Sequence, residues 1–326
     1  MHLLRRLLIL VLALPLVAAM LLGGVLAWVQ WGNGAAALAR LAGTFVPGLV
    51  IEGLAVTLPR EVRAARITFA DKGGVWLEVV APRIGFDLYA LWQREAHVQE
   101  VTAARISLSR LPASEGGEAR DGPLLPSLPH LPLGVRIDRL AIAEIAVAEG
   151  VFGQGFRLSM EGKAALVAAR LSGDVALTRL DAPGTARLAL DLAPGEDRLF
   201  ARLDVAEPPG GVIAGMLGAP AEPAQVTLRL EGPASGAALN TEARLGSTAE
   251  AALSGTISAD ARGAGFARLA GHIAAAPLRP APLAEALTRL EFSLDATRDR
   301  AGLINLRSAT AKAPLGDVTL AGRLDP

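Results

Sequence analysis

The sequence predicts a mostly β protein, in which an N-terminal transmembrane helix precedes a stacked, curved β-sheet that forms a groove with an apolar inner face. Three observations carry this prediction: an apolar run without charges near the amino terminus, alternating apolar and polar residues from Leu49 onward, and a repeat of 39 residues. They divide the chain into an anchor at 1–34, a short helix or linker at 35–47 and a β-groove at 48–326.

Composition excludes several classes of protein. The chain has 326 residues, of which 52% are hydrophobic, so it can bury a core and is not a disordered chain. Its 32 basic and 32 acidic side chains cancel, so no overall field attracts a polyanion and we expect no nucleic-acid partner. Zero cysteines exclude disulfides, thiolate metal sites and cysteine nucleophiles.

The amino terminus has the pattern of an uncleaved signal anchor. Arg5 and Arg6 precede a run from Leu7 to Val29 that contains no charged side chain. As a helix this run would extend about 34 Å, which is enough to cross a hydrocarbon core of about 30 Å. Trp28 and Trp31 then lie where interfacial aromatic residues are expected.

The two arginines should remain on the cytoplasmic side, which places the chain after Trp31 across the bacterial inner membrane, in the periplasm. A cleaved signal peptide that ends near Val17-Ala18-Ala19 is the alternative. Beyond the anchor, Leu38, Leu41 and Phe45 recur at helical spacing before Pro47. This short segment is either an interfacial helix or an extension of the anchor.

The repeat lies at 59–69, 98–108 and 137–147. Val62-x-Ala64-x-x-Ile67-x-Phe69 recurs after 39 residues, with Val101 and Ile106 as counterparts, and again after another 39. Within each copy the alternation slips by one residue, so we expect a β-bulge or bend that keeps the apolar side chains on one face. The residues expected on the groove floor are Val62, Ile67, Phe69, Val101, Ile106, Leu108, Leu140, Ile142, Ile145 and Val147.

The rest of the chain reads as further strands, for example at 76–80, 156–160, 175–178, 187–192, 199–205 and 226–230. The proline-rich stretch 123–132 cannot pair as a central strand and is expected to be an extended crossover. Two short helices are expected, at 212–217 and 283–290. Neither changes the fold class.

No motif for catalysis, cofactor binding or metal binding is found. The four histidines, His2, His97, His130 and His272, are not near one another in sequence. The common hydrolase and nucleotide-binding motifs are absent, and the glycine cluster at 150–155 reads as a turn. Carboxylates such as Asp71, Glu78, Asp87 and Asp138 alternate beside arginines and are expected on the solvated face. We therefore expect no enzyme, no cofactor and no metal.

An ordered set of structural motifs carries a family resemblance. After the anchor come Gly53-Leu54, Leu58-Pro59, Ala64-Ala65-Arg66-Ile67, Trp76-Leu77 and Ala81-Pro82-Arg83-Ile84, and then the stretch 131–140, which reads LPLGVRIDRL. In this order they resemble the N-terminal part of members of the TamB/AsmA-like family, the inner-membrane subunits of a translocation and assembly module. The resemblance covers Arg5 to about Gly155, while the remainder is similar only in style.

The resemblance implies a single-pass inner-membrane protein with a long periplasmic β-groove. It implies a function in outer-membrane biogenesis, with phospholipid as the carried molecule and TamA or another outer-membrane protein as a partner in protein secretion, including that of autotransporters. Family members are much longer, and their C-terminal region that contacts TamA has no counterpart here. We therefore expect the chain to be the N-terminal part of a longer protein.

Three functional interpretations follow. In the first, acyl chains of phospholipids lie on the apolar floor. In the second, the protein is a structural assembly factor whose strand edges template outer-membrane proteins by strand addition. The alternative for the apolar residues themselves is a closed core covered by helices or a second sheet. The third, an anchored hydrolase, requires a clustered polar pocket.

Overall fold

The structure, a computed structural model, describes residues 48–57, 60–93, 95–112, 134–258, 260, 264–275, 288–299, 303–314 and 316–324. Among these residues, no helix is long and apolar enough to cross a membrane. The expected anchor, with Arg5, Arg6, Leu7, Trp28, Val29 and Trp31, and the segment 35–47 lie outside the described residues, as does the proline-rich stretch 123–132.

The described part of the chain is one open, curved sheet of 19 strands, which confirms the mostly β fold class. In chain order the strands β1 to β19 are Leu49–Glu52, Ala55–Thr57, Glu61–Arg63, Arg66–Asp71, Gly74–Val80, Arg83–Asp87, Glu95–Leu108, Gly134–Val147, Phe156–Val167, Arg170–Arg179, Thr185–Ala193, Arg198–Glu207, Ala224–Gly232, Ala237–Leu245, Ala249–Ile257, Gly265–Ala275, Arg289–Arg298, Ile304–Ala313 and Gly316–Leu324. Two short α-helices, Glu149–Phe152 (α1) and Val212–Met216 (α2), and two 3-10 turns, Leu88–Gln93 and Pro194–Glu196, lie between strands.

Broken strands form the first three rungs of the sheet. β1 and β2 pair with β4 and β3, which in turn pair with β5 and β6, and both of these pair with β7. From β7 onward each strand is a rung of its own, so the 19 strands form 16 rungs. At about 4.8 Å between strands, the sheet extends about 70 Å across its rungs.

The repeat sets the register of the central rungs. β7 and β8 are parallel, and every paired residue is 39 positions from its partner, from Glu95 opposite Gly134 to Leu108 opposite Val147. All the other pairs are antiparallel. The first repeat copy, in β3 and β4, is separated from the second by β5 and β6.

Bends occur at the positions where the alternation slips. β3 and β4 are separated at Ala64-Ala65, and the ladder between β8 and β9 shifts register between Ile142 and Ile145. Ala64, Ala103 and Ile142, which occupy equivalent positions of the three copies, are all buried. In the first and third copies the bend therefore lies where the slip in the sequence predicts it.

From β9 to β19 the sheet is an antiparallel meander of consecutive strands. The strands expected at 156–160, 175–178, 187–192, 199–205 and 226–230 all lie within it, and the helix expected at 212–217 is α2. The helix expected at 283–290 is wrong at its end because β17 begins at Arg289; 283–287 lie outside the described residues. The glycine cluster at 150–155 includes part of α1 before β9 begins.

Glycine allows sharp curvature within the meander. Gly255 lies in the interior of β15 with a φ of +157°, and a Cβ there would collide with the carbonyl oxygen of Arg268 on β16. Only glycine tolerates this close approach of two backbones without strain.

Candidate functional site

One side of the sheet is apolar across all the described rungs, and we call it the apolar face. On β9 it carries the even-numbered side chains, including Phe156, Leu158 and Met160. Because cross-strand partners point to the same side of a sheet, the pairing registers extend this face to every other strand. One row, for example, runs through Leu188, Leu203 and Leu228 on consecutive rungs.

All ten residues expected on the groove floor lie on the apolar face. Leu140, Ile142, Ile145 and Val147 face Gly162, Met160, Leu158 and Phe156 on β9. The others are aligned with them through the ladders of β7, β5 and β6, as in the row from Val62 through Ile84 and Val101 to Leu140. Ile142 and Val147 are buried, and the remaining eight are half-buried.

No second layer covers the apolar face within the described part of the chain. Every pair of strands in extensive contact is a hydrogen-bonded pair. Several large side chains on this face are therefore exposed to solvent: Ile84 at 41%, Leu188 at 37%, Ile273 at 39% and Leu320 at 60%. An apolar surface of this length on a folded protein marks a site of interaction.

Charged side chains reach the apolar face only at strand ends among the described strands. They are Arg179, Glu207 and Arg298, which are the last residues of β10, β12 and β17. Their registers, opposite Leu158, Ala224 and Ile304, place them in the apolar rows. The interior of the face has a single hydroxyl group, that of Thr241 on β14, whose oxygen is buried without a described partner.

The edge of the sheet that carries α1 and α2, which we call the helical rim, contains an apolar cavity. The cavity has a volume of about 220 Å³. It is lined by Phe156, Leu158, Leu177, Arg179, Gly184, Thr185, Ala186, Val205, Glu207, Val212 and Ile213. Helix α2 closes one side, where Ala214 is fully buried against Ala224 and Leu245.

Arg179 is the buried cation of this cavity. Its side chain is only 8% exposed and its guanidinium carbon lies 6.0 Å from the centre of the Phe156 ring. Nε and Nη2 donate to the carboxylate of Asp181 at 3.1 and 3.0 Å, while Nη1 is buried with no described partner. The hydrogen bond from Arg179 lowers the pKa of Asp181, so this pair is charged at neutral pH.

Glu207 is the second charged group of the cavity. Its Oε2 accepts a hydrogen bond of 2.8 Å from the backbone N–H of Ile213 in α2. The negative charge of Glu207 also raises the pKa of Arg179, although less than the hydrogen bond with Asp181 does. A cation and an anion thus lie together at one end of the apolar face.

The opposite side of the sheet is polar and carries ion pairs between neighbouring strands. Examples are Arg83 with Glu61 at 2.7 Å, Arg105 with Glu144 at 2.8 Å and His97 with Asp138 at 2.6 Å. Both arginines are about half exposed, so each of their pairs contributes less than about 1 kcal/mol to stability.

Of the carboxylates expected on the solvated face, Glu78 pairs with Arg66 at 3.0 Å, Asp71 with Arg110, and Asp138 with His97. Among the described residues, no group of three or more metal-ligating side chains is present. The expectation that the protein is not an enzyme stays a prediction.

Comparison of the chain with protein-family models, with curated proteins and with solved structures found no match. The resemblance to the TamB/AsmA-like family therefore rests on the sequence motifs alone.

Sequence reasoning did not single out Arg179 and Glu207. A signal was present, because both continue an apolar alternation: Val175, Leu177, Arg179 and Leu203, Val205, Glu207. A charge at the end of such a series is usually read as a residue leaving the sheet. The pairing registers, and the cavity that both residues line, show that their side chains remain on the apolar face.

Proposed function

We propose that the protein carries phospholipid along the apolar face, as an inner-membrane-anchored periplasmic protein of outer-membrane biogenesis. The observation that supports this proposal is the continuity of the face. Across the 16 rungs its interior has no charged side chain, and no layer covers it in the described part of the chain.

The physical chemistry suits movement more than fixed binding. Each methylene group removed from water contributes about 0.8 kcal/mol, so an acyl chain gains several kcal/mol by lying on the apolar side chains. Because the interior of the face has no charged side chain, it binds an acyl chain with similar strength at every position, so sliding has a low barrier. The head groups stay in water beyond the edges of the sheet.

The membrane location in this proposal rests on the sequence of residues 1–47 and on the family resemblance. The charge-free run after Arg6 supports a single-pass anchor with a cytoplasmic amino terminus. Movement between the inner and outer membranes follows from the family resemblance, together with the length of about 70 Å estimated for the sheet.

The test is lipid retention by the full-length chain. The protein is purified in mild detergent, the detergent is exchanged away, and bound phospholipid is measured by native mass spectrometry. Ile106→Glu and Ile145→Glu each place a carboxylate on the apolar face between two rows of aliphatic side chains. We expect both variants to lose bound phospholipid.

Ala146→Glu is the matched control. Ala146 is adjacent to Ile145 on β8 but lies on the polar face, opposite Arg157. This variant should fold and retain phospholipid like the parent protein. Phospholipid binding that is unchanged in Ile106→Glu and Ile145→Glu would contradict the conduit.

A second candidate function is supported by the sheet edge at β19. Among the described strands, β19 hydrogen-bonds only with β18, and Val318 is 55% exposed. Such an edge can template an added strand, so a structural subunit that helps TamA or another outer-membrane protein to insert autotransporters fits this feature.

Two proline variants test this candidate. The N–H groups of neighbouring residues in a strand point to opposite sides. One of the two variants, Thr319→Pro or Leu320→Pro, therefore removes a hydrogen-bond donor from the ladder with β18, and the other removes a donor that points away from the sheet. If templating is the function, the variant that keeps its thermal stability should still lose autotransporter insertion in cells. If that variant inserts autotransporters normally, the edge is not used.

A further inference from the structure

The cavity at the helical rim has features that the rest of the apolar face lacks. It is bounded by apolar side chains of β9 to β12 and by α2, and it contains both a buried cation and an anion. A volume of about 220 Å³ is below the range of about 300–1,000 Å³ for pockets that enclose a whole small ligand. It therefore suits one end of an elongated molecule whose remainder lies along the open face.

Two buried donors near this rim have no described partner. One is Nη1 of Arg179, which lines the cavity, and the other is Nε2 of Gln154, which lies outside the cavity lining beside Gly215 of α2, where an added Cβ would lie 3.1 Å from it. A buried donor without a hydrogen bond costs about 1–3 kcal/mol. A ligand that supplies acceptor oxygens would recover this cost, and a phosphate diester has such oxygens.

The carboxylates decide the charge of the ligand. Asp181 accepts hydrogen bonds from Nε and Nη2 of Arg179, so Nη1 is the part of the guanidinium that remains for a ligand. Glu207 lies in the cavity wall and adds a negative charge. An anionic ligand would be repelled by Glu207, whereas a ligand that carries both a phosphate and an ammonium group finds a partner for each charge.

We propose that the rim cavity is a head-group subsite for a zwitterionic phospholipid, in which the phosphate accepts a hydrogen bond from Arg179 and a primary ammonium group pairs with Glu207. Both acyl chains leave the cavity past Phe156 and follow the rows of leucines on the open face of the meander. This inference rests on the proposed function, because it assumes that acyl chains occupy the apolar face. It adds a point of selection at one edge of a face that is otherwise indifferent to the head group.

The test measures head-group preference in the full-length protein. The purified chain is exposed to an equimolar mixture of dioleoyl phosphatidylethanolamine, dioleoyl phosphatidylglycerol and dioleoylglycerol, and each bound species is counted by native mass spectrometry. We expect phosphatidylethanolamine to be retained about tenfold over phosphatidylglycerol, the size of effect of one hydrogen bond with a charged group.

Two variants separate the two charges. Glu207→Gln keeps an acceptor for the Ile213 N–H and should abolish the preference between the two phospholipids. Arg179→Gln should bring both phospholipids down to the level of dioleoylglycerol, and Arg179→Lys should restore part of the difference. If Arg179→Gln does not fold, as judged by circular dichroism, the head-group preference is measured in Glu207→Gln and Arg179→Lys instead.

Arg202→Gln is the matched control. Arg202 also pairs with an aspartate two residues later, Asp204 at 2.6 Å, but it lies on the polar face of β12. It should leave the preference unchanged.

The outcomes distinguish the two proposals. If no lipid of any kind is retained by the parent protein, the proposed function fails and the subsite with it. If all three lipids are retained without preference and the Arg179 and Glu207 variants behave like the parent, the subsite is overturned while the conduit stands.

Discussion

In the first five rungs the strands are broken or bulged at aligned positions, whereas β9 to β17 alternate strictly and continue as a meander to β19, with one bulge in β18 between Leu306 and Ala309. Both regions nevertheless present their apolar side chains on the same face. In the repeat region this is possible because the alternation shifts by one residue at equivalent positions of the repeat. These positions are Ala64-Ala65, between β3 and β4, and the segment between Ile142 and Ile145 in β8. A continuous apolar face thus requires that neighbouring strands are broken or bulged at matching positions. It does not require that each strand alternates along its whole length.

The burial of the two regions also differs. In the repeat region the buried residues lie at the bends and at the end of β8. In the meander they cluster at the edges of the sheet, where Leu199, Leu230 and Ile257 pack with Ala234 at one edge, and Ala214 of α2 packs at the other. The centre of the meander is left open, so its edges contribute most of its packing.

Single-residue deletions should separate the regions most strongly. Deletion of Ala189 from β11 reverses half of that strand and moves Leu190 and Leu192, or Ala186 and Leu188, to the polar face. With each leucine worth about 1.5–3 kcal/mol, we expect loss of cooperative unfolding in the meander.

Deletion of Ala143 is the comparison within the repeat region. It removes the shift between Ile142 and Ile145 from the ladder with β9, leaves the shift between Ile137 and Leu140, and introduces an offset into the ladder with β7, so all apolar side chains keep their face. Urea unfolding followed by circular dichroism checks both variants. If the two deletions destabilise the protein equally, the bulged strand β8 tolerates the loss of a residue no better than the regular strand β11 does.

Truncation at an edge cluster is expected to have the next largest effect. Leu199→Ala removes a side chain that is 5% exposed and should lower the free energy of unfolding by about 2–5 kcal/mol. Leu188→Ala removes the same group from the open centre of the meander, where it is 37% exposed, and should cost about 1 kcal/mol or less. A larger loss in Leu188→Ala, measured by urea unfolding, would indicate that the centre is covered.

The two regions differ in how much of their structure can be predicted from the sequence. Alternation predicts the meander strands from local residues, and the repeat predicts where the bends in β3, β4 and β8 occur. The repeat also predicts stacked copies, and the second and third copies do stack as β7 and β8, but it does not predict that β5 and β6 separate the first copy from the second. Leu283, Leu287 and Leu290 are spaced as on a helix, yet Leu290 pairs with Ile273 in the sheet, a long-range contact that local periodicity does not reveal.

Enlarging a residue at a bend should have an intermediate effect. Ala103 is buried where β7 faces Ile142, so Ala103→Leu overpacks the bend and should cost about 1–3 kcal/mol. Ala243, half-buried on the apolar face of β14, is the control because a leucine there extends over an open surface. We expect Ala243→Leu to change the midpoint of thermal unfolding little. A loss in Ala243→Leu as large as that in Ala103→Leu would contradict the contrast between bends and open face.

The smallest expected effect concerns ion pairs on the polar face of the meander. Hydrogen bonds from Arg170, and to a lesser extent from Arg198, lower the pKa of Asp191. Because the folded-state pKa is lowered, the stabilisation is present above the pKa of the unfolded carboxyl group, about 3.9, and is lost as the pH falls through the folded-state value.

Asp191→Asn should therefore lower stability by less than about 1 kcal/mol at pH 7 and leave it unchanged at a pH below the folded-state pKa of Asp191. The expectation is checked by measuring the urea midpoints of Asp191→Asn and of the parent protein from pH 7 down to a pH below the folded-state pKa of Asp191. Asp174→Asn, on the same face, is the control. A difference between Asp191→Asn and the parent that persists undiminished in acid would mean that Asp191 acts through packing and not through its charge. The polar face would then stabilise the meander by burial of side chains, as the edge clusters do. The two faces would differ only in how strongly water solvates them.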